Sequence, residues 1–423
     1  MAKQDEKSQL DRREFLRFFS GGSLGLTLVL CLCILTGCGG GGVGKLITSP
    51  SKATGTVVQP NVQVLPSDGS VTVAAQDANS VTLMGNVPAL TAGQVIVSGV
   101  GEGLLRKVVS ASSAGGSAVV QTQQATLEDV FQEADIQFHK DFVASDFKAQ
   151  ALRPGITIRN YAQPHDSGPS NTVELDFSNL TIGNDDEGNS IKLGGSASLT
   201  TSLDFDCQIH SFQLQSLKVA PTIASAMKLS ANIKGKVTLL EKTIQIVVLR
   251  GEPIDVQAGI VPVVFVPILT INLEVKGSLE TGVEVSMGST ASVQAGFQYQ
   301  AGQLPTPIAS VMKQFDASPQ FNLYTSGTLE ISPVDPDISL NLYGVAGPYV
   351  KVQLPALSFT AKRDSNPAQL ELTGDADFKA SAGAKFSIFG THAADFEIGA
   401  LDEKFEFFNQ TIPFNGTVNV PVN

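Results

Sequence analysis

The sequence predicts a mainly β protein: a small N-terminal β sandwich or barrel module, followed by a long-stranded antiparallel β sandwich with two short helices. Three observations predict it. Apolar and polar residues alternate with a period of two over long runs, as in strands with one dry and one wet face. Between residues 62 and 126, short apolar runs are split by Asp68-Gly69, Gly85-Asn86 and Gly115-Gly116, the spacing of a small sandwich or barrel. Charged residues are only 16% of the chain and glycines number 40, a balance usual for secreted β proteins rather than for helical or disordered ones.

In chain order, the first element is an address label. Asp11-Arg12-Arg13-Glu14-Phe15-Leu16-Arg17 precedes an apolar stretch at residues 24–35, which is too short to span a bilayer comfortably as a permanent helix. The stretch ends in Leu35-Thr36-Gly37-Cys38. The Arg12-Arg13 run resembles the twin-arginine export consensus, and Leu35-Thr36-Gly37-Cys38 resembles the lipobox of bacterial lipoproteins. That resemblance implies a protein exported already folded, with Cys38 carrying a diacylglyceryl group as the mature N-terminus. It implies an extracytoplasmic location on the membrane, and Gly39 in place of Asp points to the outer membrane or cell surface. The competing reading, an uncleaved transmembrane anchor, is opposed by the Gly21-Gly22 break and by Cys38 at the end of the run.

The domain plan follows: residues 1–37 a signal peptide, 38–61 a flexible linker, 62–135 the small β module and 136–423 the long-stranded sandwich. Gly39–Gly44 is glycine except for Val43, a leash with little to pack. Cys31 and Cys33 leave with the signal, so Cys207 is the one thiol of the folded body, and the fold must be held by its hydrophobic core alone. The signal carries five basic and four acidic residues, so a whole-chain charge of −12 leaves −13 on the mature protein. So acidic a surface repels phosphate backbones, which argues against a nucleic-acid partner.

Within the small module, strands are expected around Val71-Thr72-Val73, Ser80-Val81-Thr82-Leu83, Gln94-Val95-Ile96-Val97, Lys107-Val108-Val109 and Ala118-Val119-Val120. A helix of about two turns is expected next, because Leu127, Val130, Phe131 and Ala134 share a helical face and Thr126 with Asp129 makes a capping box. Beyond it, Ala197, Leu199, Thr201, Leu203, Phe205, Cys207 and Ile209 alternate with polar residues. The same period runs through residues 227–239, 291–299 and 376–388. Ten such residues at about 3.3 Å each reach at least 30 Å. A second short helix is expected at residues 306–315, where Thr306 caps, Pro307 opens the first turn, and Ile308, Val311, Met312 and Phe315 form a stripe suited to plugging an end of the sandwich. A transmembrane barrel is disfavoured by the absence of Trp and by only five Tyr to build aromatic girdles.

Residues 260–273 are apolar on both faces yet contain Pro262 and Pro267, which suits an edge or bulged strand buried between sheets. The sharper alternative is an apolar groove lined by Val264, Phe265 and Ile268. Asp185, Asp186 and Glu187 crowd one loop with hard oxygen ligands, which suits calcium or equally a solvated turn; no other cofactor is expected.

The sequence advertises no catalytic site. His139, His165, His210 and His392 lack metal-ligand spacing and read as solvated imidazoles. Ser145 to Lys148 and Ser310 to Lys313 match Ser-x-x-Lys without the companion elements that penicillin-recognising enzymes need. The glycines Gly99, Gly101 and Gly103 precede a strand-like run, so they read as turn residues and not as a phosphate cradle.

Residues 81–131 and 269–300 resemble modules of uncharacterised secreted bacterial and fungal surface proteins, which implies no particular chemistry. The expectation is a lipid-anchored, non-enzymatic binding or structural component of the cell envelope. It would meet the membrane through its lipid and a protein or glycan partner at the surface, in an oligomeric state the sequence leaves open. The alternative is a carrier of a lipid or other apolar ligand between the long sheets, and a less favoured one is an enzyme whose site is not advertised.

Overall fold

The computed structural model describes residues 55–160, 172–184, 190–234, 236–280, 283–314, 320–321, 327–363, 369–390, 395–413 and 418–419, and they are almost entirely strand. The described residues begin with β1 (Val57–Val58), β2 (Val62–Val64), β3 (Val71–Gln76), β4 (Ser80–Gly85), β5 (Val95–Ser98), β6 (Leu104–Ala114) and β7 (Ser117–Gln124). Next come β8 (Phe131–Asp141), β9 (Phe147–Ala151), β10 (Ile156–Asn160), β11 (Thr172–Asn184) and β12 (Ser190–His210). They are followed by β13 (Gln213–Lys234), β14 (Lys236–Gly251), β15 (Ile254–Ala258), β16 (Val261–Glu280), β17 (Val283–Gln300) and β18 (Thr306–Gln314). The chain closes with β19 (Gln320–Phe321), β20 (Gly327–Leu342), β21 (Pro348–Arg363), β22 (Gln369–Ala384), β23 (Phe396–Pro413) and β24 (Val418–Asn419).

Strands β2 to β7 form a six-stranded sheet in the order β2-β5-β6-β7-β4-β3. Every apolar run expected in the small module is one of its strands. Leu83, Ile96, Leu104, Val108 and Val120 build a core on one face, while Val95, Val97 and Leu105 on the other face join the main core. Arg106 closes the small core with hydrogen bonds from Nε to Thr122 Oγ1 (3.1 Å), from Nη1 to Gln124 Oε1 (3.1 Å) and from Nη2 to the Asp77 carbonyl (2.7 Å). A buried guanidinium is tolerable only with such partners.

The remaining strands make two sheets. The first runs β1-β8-β12-β13-β17-β19-β24, with β11 also on β12, β10 on β11 and β18 on β17; the second runs β23-β22-β21-β20-β16-β14-β9, with β15 on β16. Their dry faces pack together, as a sandwich requires. Phe265 of the second sheet lies 5.1 Å from Phe138 and 4.7 Å from Phe205 of the first, ring centre to ring centre, and Phe297 meets Phe396 edge-on at 4.8 Å. The expected alternation on β12 is exact in outcome: Leu199, Leu203, Phe205, Cys207 and Ile209 are buried, and their polar neighbours face outward. At 21 residues, β12 is roughly 70 Å long.

Both expected helices are corrected. At the first, the capping box is real, with Thr126 Oγ1 accepting from the Asp129 N–H (3.2 Å) and Asp129 Oδ2 from the Thr126 N–H (3.0 Å). It caps only one 3-10 turn, Leu127–Asp129, after which β8 pairs along β12 from Glu133↔His210 to Asp141↔Ser202. Residues 306–314 are β18, paired with β17 from Thr306↔Gln298 to Gln314↔Thr290. Its outward Met312 is 72% exposed, so the apolar stripe is not one buried face. In both places a free edge of a long strand offered a continuous ladder, and tertiary pairing outweighed a weak local helical preference.

Two further readings change. The alternating run 227–239 is shared by β13 of the first sheet and β14 of the second, so the chain changes layers within it. Of the two forms expected for the buried proline-bearing segment, edge or bulged, it is not the edge: β16 is paired on both sides, and its register with β20 shifts between Asn272 and Glu274. Pro267 is tolerated because β15 pairs only as far as Phe265 and β14 only from Ile268, so its missing N–H falls in the gap. Gly251 closes that gap: a Cβ there would lie 2.4 Å from Pro267 Cγ.

Candidate functional site

The outer face of the first sheet carries a polar surface dense in amides and carboxylates. Strand register builds it row by row. Gln137, Asp206, Lys218 and Gln298 lie side by side across β8, β12, β13 and β17, and the next row is Asp135, Gln208, Ser216 and Gln300. A bulge between β12 and β13 leaves Gln215 without a register partner on β12 and adds another amide. Together with Ala301 and Gln303 of the turn after β17, the β12, β13 and β17 residues line an open depression of about 460 Å³.

Its charges are poorly compensated. Gln137 Nε2 donates to Asp206 Oδ2 at 3.0 Å, but Asp206 Oδ1 and Asp135 Oδ1 are shielded from solvent and have no hydrogen-bond partner. Burial, followed by the nearby Asp135 charge, raises the Asp206 pKa above the ordinary carboxylate range, against the attraction of Lys218. Along the same face, His139 bridges Asp204 (Nδ1···Oδ1 2.6 Å) and Asp141 (Nε2···Oδ1 3.2 Å). The Asp204 hydrogen bond is the main reason its pKa is raised. His210 pairs with Glu133, a contact that lowers the Glu133 pKa.

The residues singled out from sequence are not brought together. Arg12, Arg13, Cys38, Asp185, Asp186 and Glu187 lie outside the described residues, as do His165 and His392. Val264 and Phe265 are fully buried and Ile268 is half-buried, with Phe265 closed in by Phe138 and Phe205. Ser310 and Lys313 sit on strand β18 at an odd spacing, so the two side chains leave opposite faces. The Lys313 ammonium sits 4.9 Å from the Phe405 ring centre instead. Lys148 pairs with Glu252 at 3.0 Å. Gly101 and Gly103 are turn residues with positive φ before β6. Cys207 is buried, and desolvation pushes its thiol pKa upward, away from reactivity.

Sequence reasoning missed the amide depression. Asp206 and Gln208 were visible as wet-face residues, and a signal existed in the glutamines that flank neighbouring turns, Gln213 and Gln215 after one and Gln298, Gln300 and Gln303 around the other. Comparison with protein families, curated proteins and solved structures finds no match to this chain.

Proposed function

We propose that the protein is a lipid-anchored, extracytoplasmic binding component of the cell envelope and not an enzyme. The observation that carries the reading is Leu35-Thr36-Gly37-Cys38 at the end of a short apolar run behind Arg12-Arg13. A glycine leash after Cys38 would let the folded body stand off the bilayer. A filled core and a broad polar sheet face support binding at the surface over transport in the interior. The −13 charge of the mature chain disfavours anionic partners.

Cell fractionation tests this. The wild-type protein should sediment with membranes, Cys38→Ser should be released from them, and Arg12→Lys with Arg13→Lys should stay in the cytoplasm. Wild-type protein found free of membranes would refute the anchor, and normal export of the double-Lys variant would refute the twin-arginine route.

A further inference from the structure

We infer that the depression over β12, β13 and β17 binds a neutral, hydroxyl-rich ligand, a short saccharide chain; the inference rests on the reading of the protein as a surface binding protein. A carboxamide offers one acceptor oxygen and two N–H donors, and a sugar hydroxyl both donates and accepts, so a cluster of amides matches a polyol without charge. Gln208, Gln298, Gln300 and Gln303 supply such groups here. Ser216 and Asp206 of the same lining add a hydroxyl and a carboxylate acceptor.

Other ligand classes fit less well. Lys218 is the one cation of the lining and faces Asp206, and Asp135 lies in the next row on β8, so phosphate or a uronate would meet two carboxylates against one ammonium. An extended peptide adding to a sheet needs a free backbone edge, yet at Asp206, Lys218 and Gln298 each strand is already paired on both sides. The volume, about 460 Å³, lies within the range of small-ligand sites. Phe212, 44% exposed at the tip of the β12–β13 hairpin, offers an aromatic surface at the same end for the C–H face of a sugar ring.

The test is saturation-transfer difference spectroscopy on the mature protein in a non-glycosidic detergent, with maltohexaose, cellohexaose, mannohexaose and chitohexaose as probes. At least one probe should receive saturation. Gln298→Ala with Gln300→Ala should weaken its binding about tenfold or more, the loss expected for one to two hydrogen bonds. Gln353→Ala, on the second sheet, should leave binding unchanged, and all variants should keep the parent's circular dichroism. No transfer to any of the four probes, or equal binding by the double variant, overturns the inference. Membrane fractionation reads the anchor separately, so an acylated protein that binds no probe loses only the saccharide assignment.

Discussion

The Tyr343 hydroxyl donates to the Pro262 carbonyl at 2.7 Å, and the Tyr343 N–H donates to the Val264 carbonyl at 2.8 Å, so one buried tyrosine binds the start of β16 twice. Its backbone sits in the left-handed region (φ 49°), a conformation that a non-glycine residue holds only when its surroundings enforce it. Removing the hydroxyl leaves the Pro262 carbonyl without that donor. Tyr343→Phe should therefore lower stability by about 1 kcal/mol, read as a lower urea midpoint at unchanged slope. An unchanged midpoint would show that the hydroxyl contributes nothing net.

The same tyrosine receives the small sheet. Gly103, in the turn before β6, has φ +83°, and a Cβ on it would lie 2.6 Å from the Tyr343 ring and 2.9 Å from Val264 Cβ. Gly101, in the same turn, has φ +67° with open space around it. Gly101→Ala should thus cost only the backbone term, about 1 kcal/mol, whereas Gly103→Ala adds overpacking of about 1–3 kcal/mol. Equal urea midpoints for the two variants would contradict the close contact between small sheet and sandwich.

Phe265 is fully buried against Phe138 and Phe205, which ties the two sheets together. Phe265→Ala should lower stability by about 3–5 kcal/mol, the range for truncating a core phenylalanine. A much smaller loss, accompanied by lipid co-purifying with the parent, would favour an open apolar groove at this place.

Much of the sandwich was legible in the sequence and its surface site was not. The alternation at residues 197–209 could be read because burial on one side of a long strand forces a period of two. Residues 306–315 fit a helical stripe equally well, and the decision came from the free edge of β17, which no local window contains. No apolar periodicity signals Glu128, which is buried and accepts the Leu214 N–H at 2.9 Å. The amide depression depends on register: Asp206, Lys218 and Gln298 become neighbours only through two ladders between segments far apart in sequence.

His139 supplies a pH signature. Its pKa is raised in the folded protein, chiefly by the Asp204 hydrogen bond, so its contribution to stability is fully present below the free imidazole value of about 6.5 and fades as pH rises through the higher folded value. The ring is largely exposed, which keeps the effect small. An NMR titration should place His139 above free histidine, and Asp204→Asn should bring it back down. A titration at or below the free value in the parent would contradict the His139–Asp204 contact.

Intact-mass spectrometry of the protein extracted from membranes decides whether Cys38 anchors it. The expected chain begins at Cys38 and carries covalent lipid, with residues 1–37 gone. A mass that retains residues 1–37, or a processed chain without lipid, would contradict it.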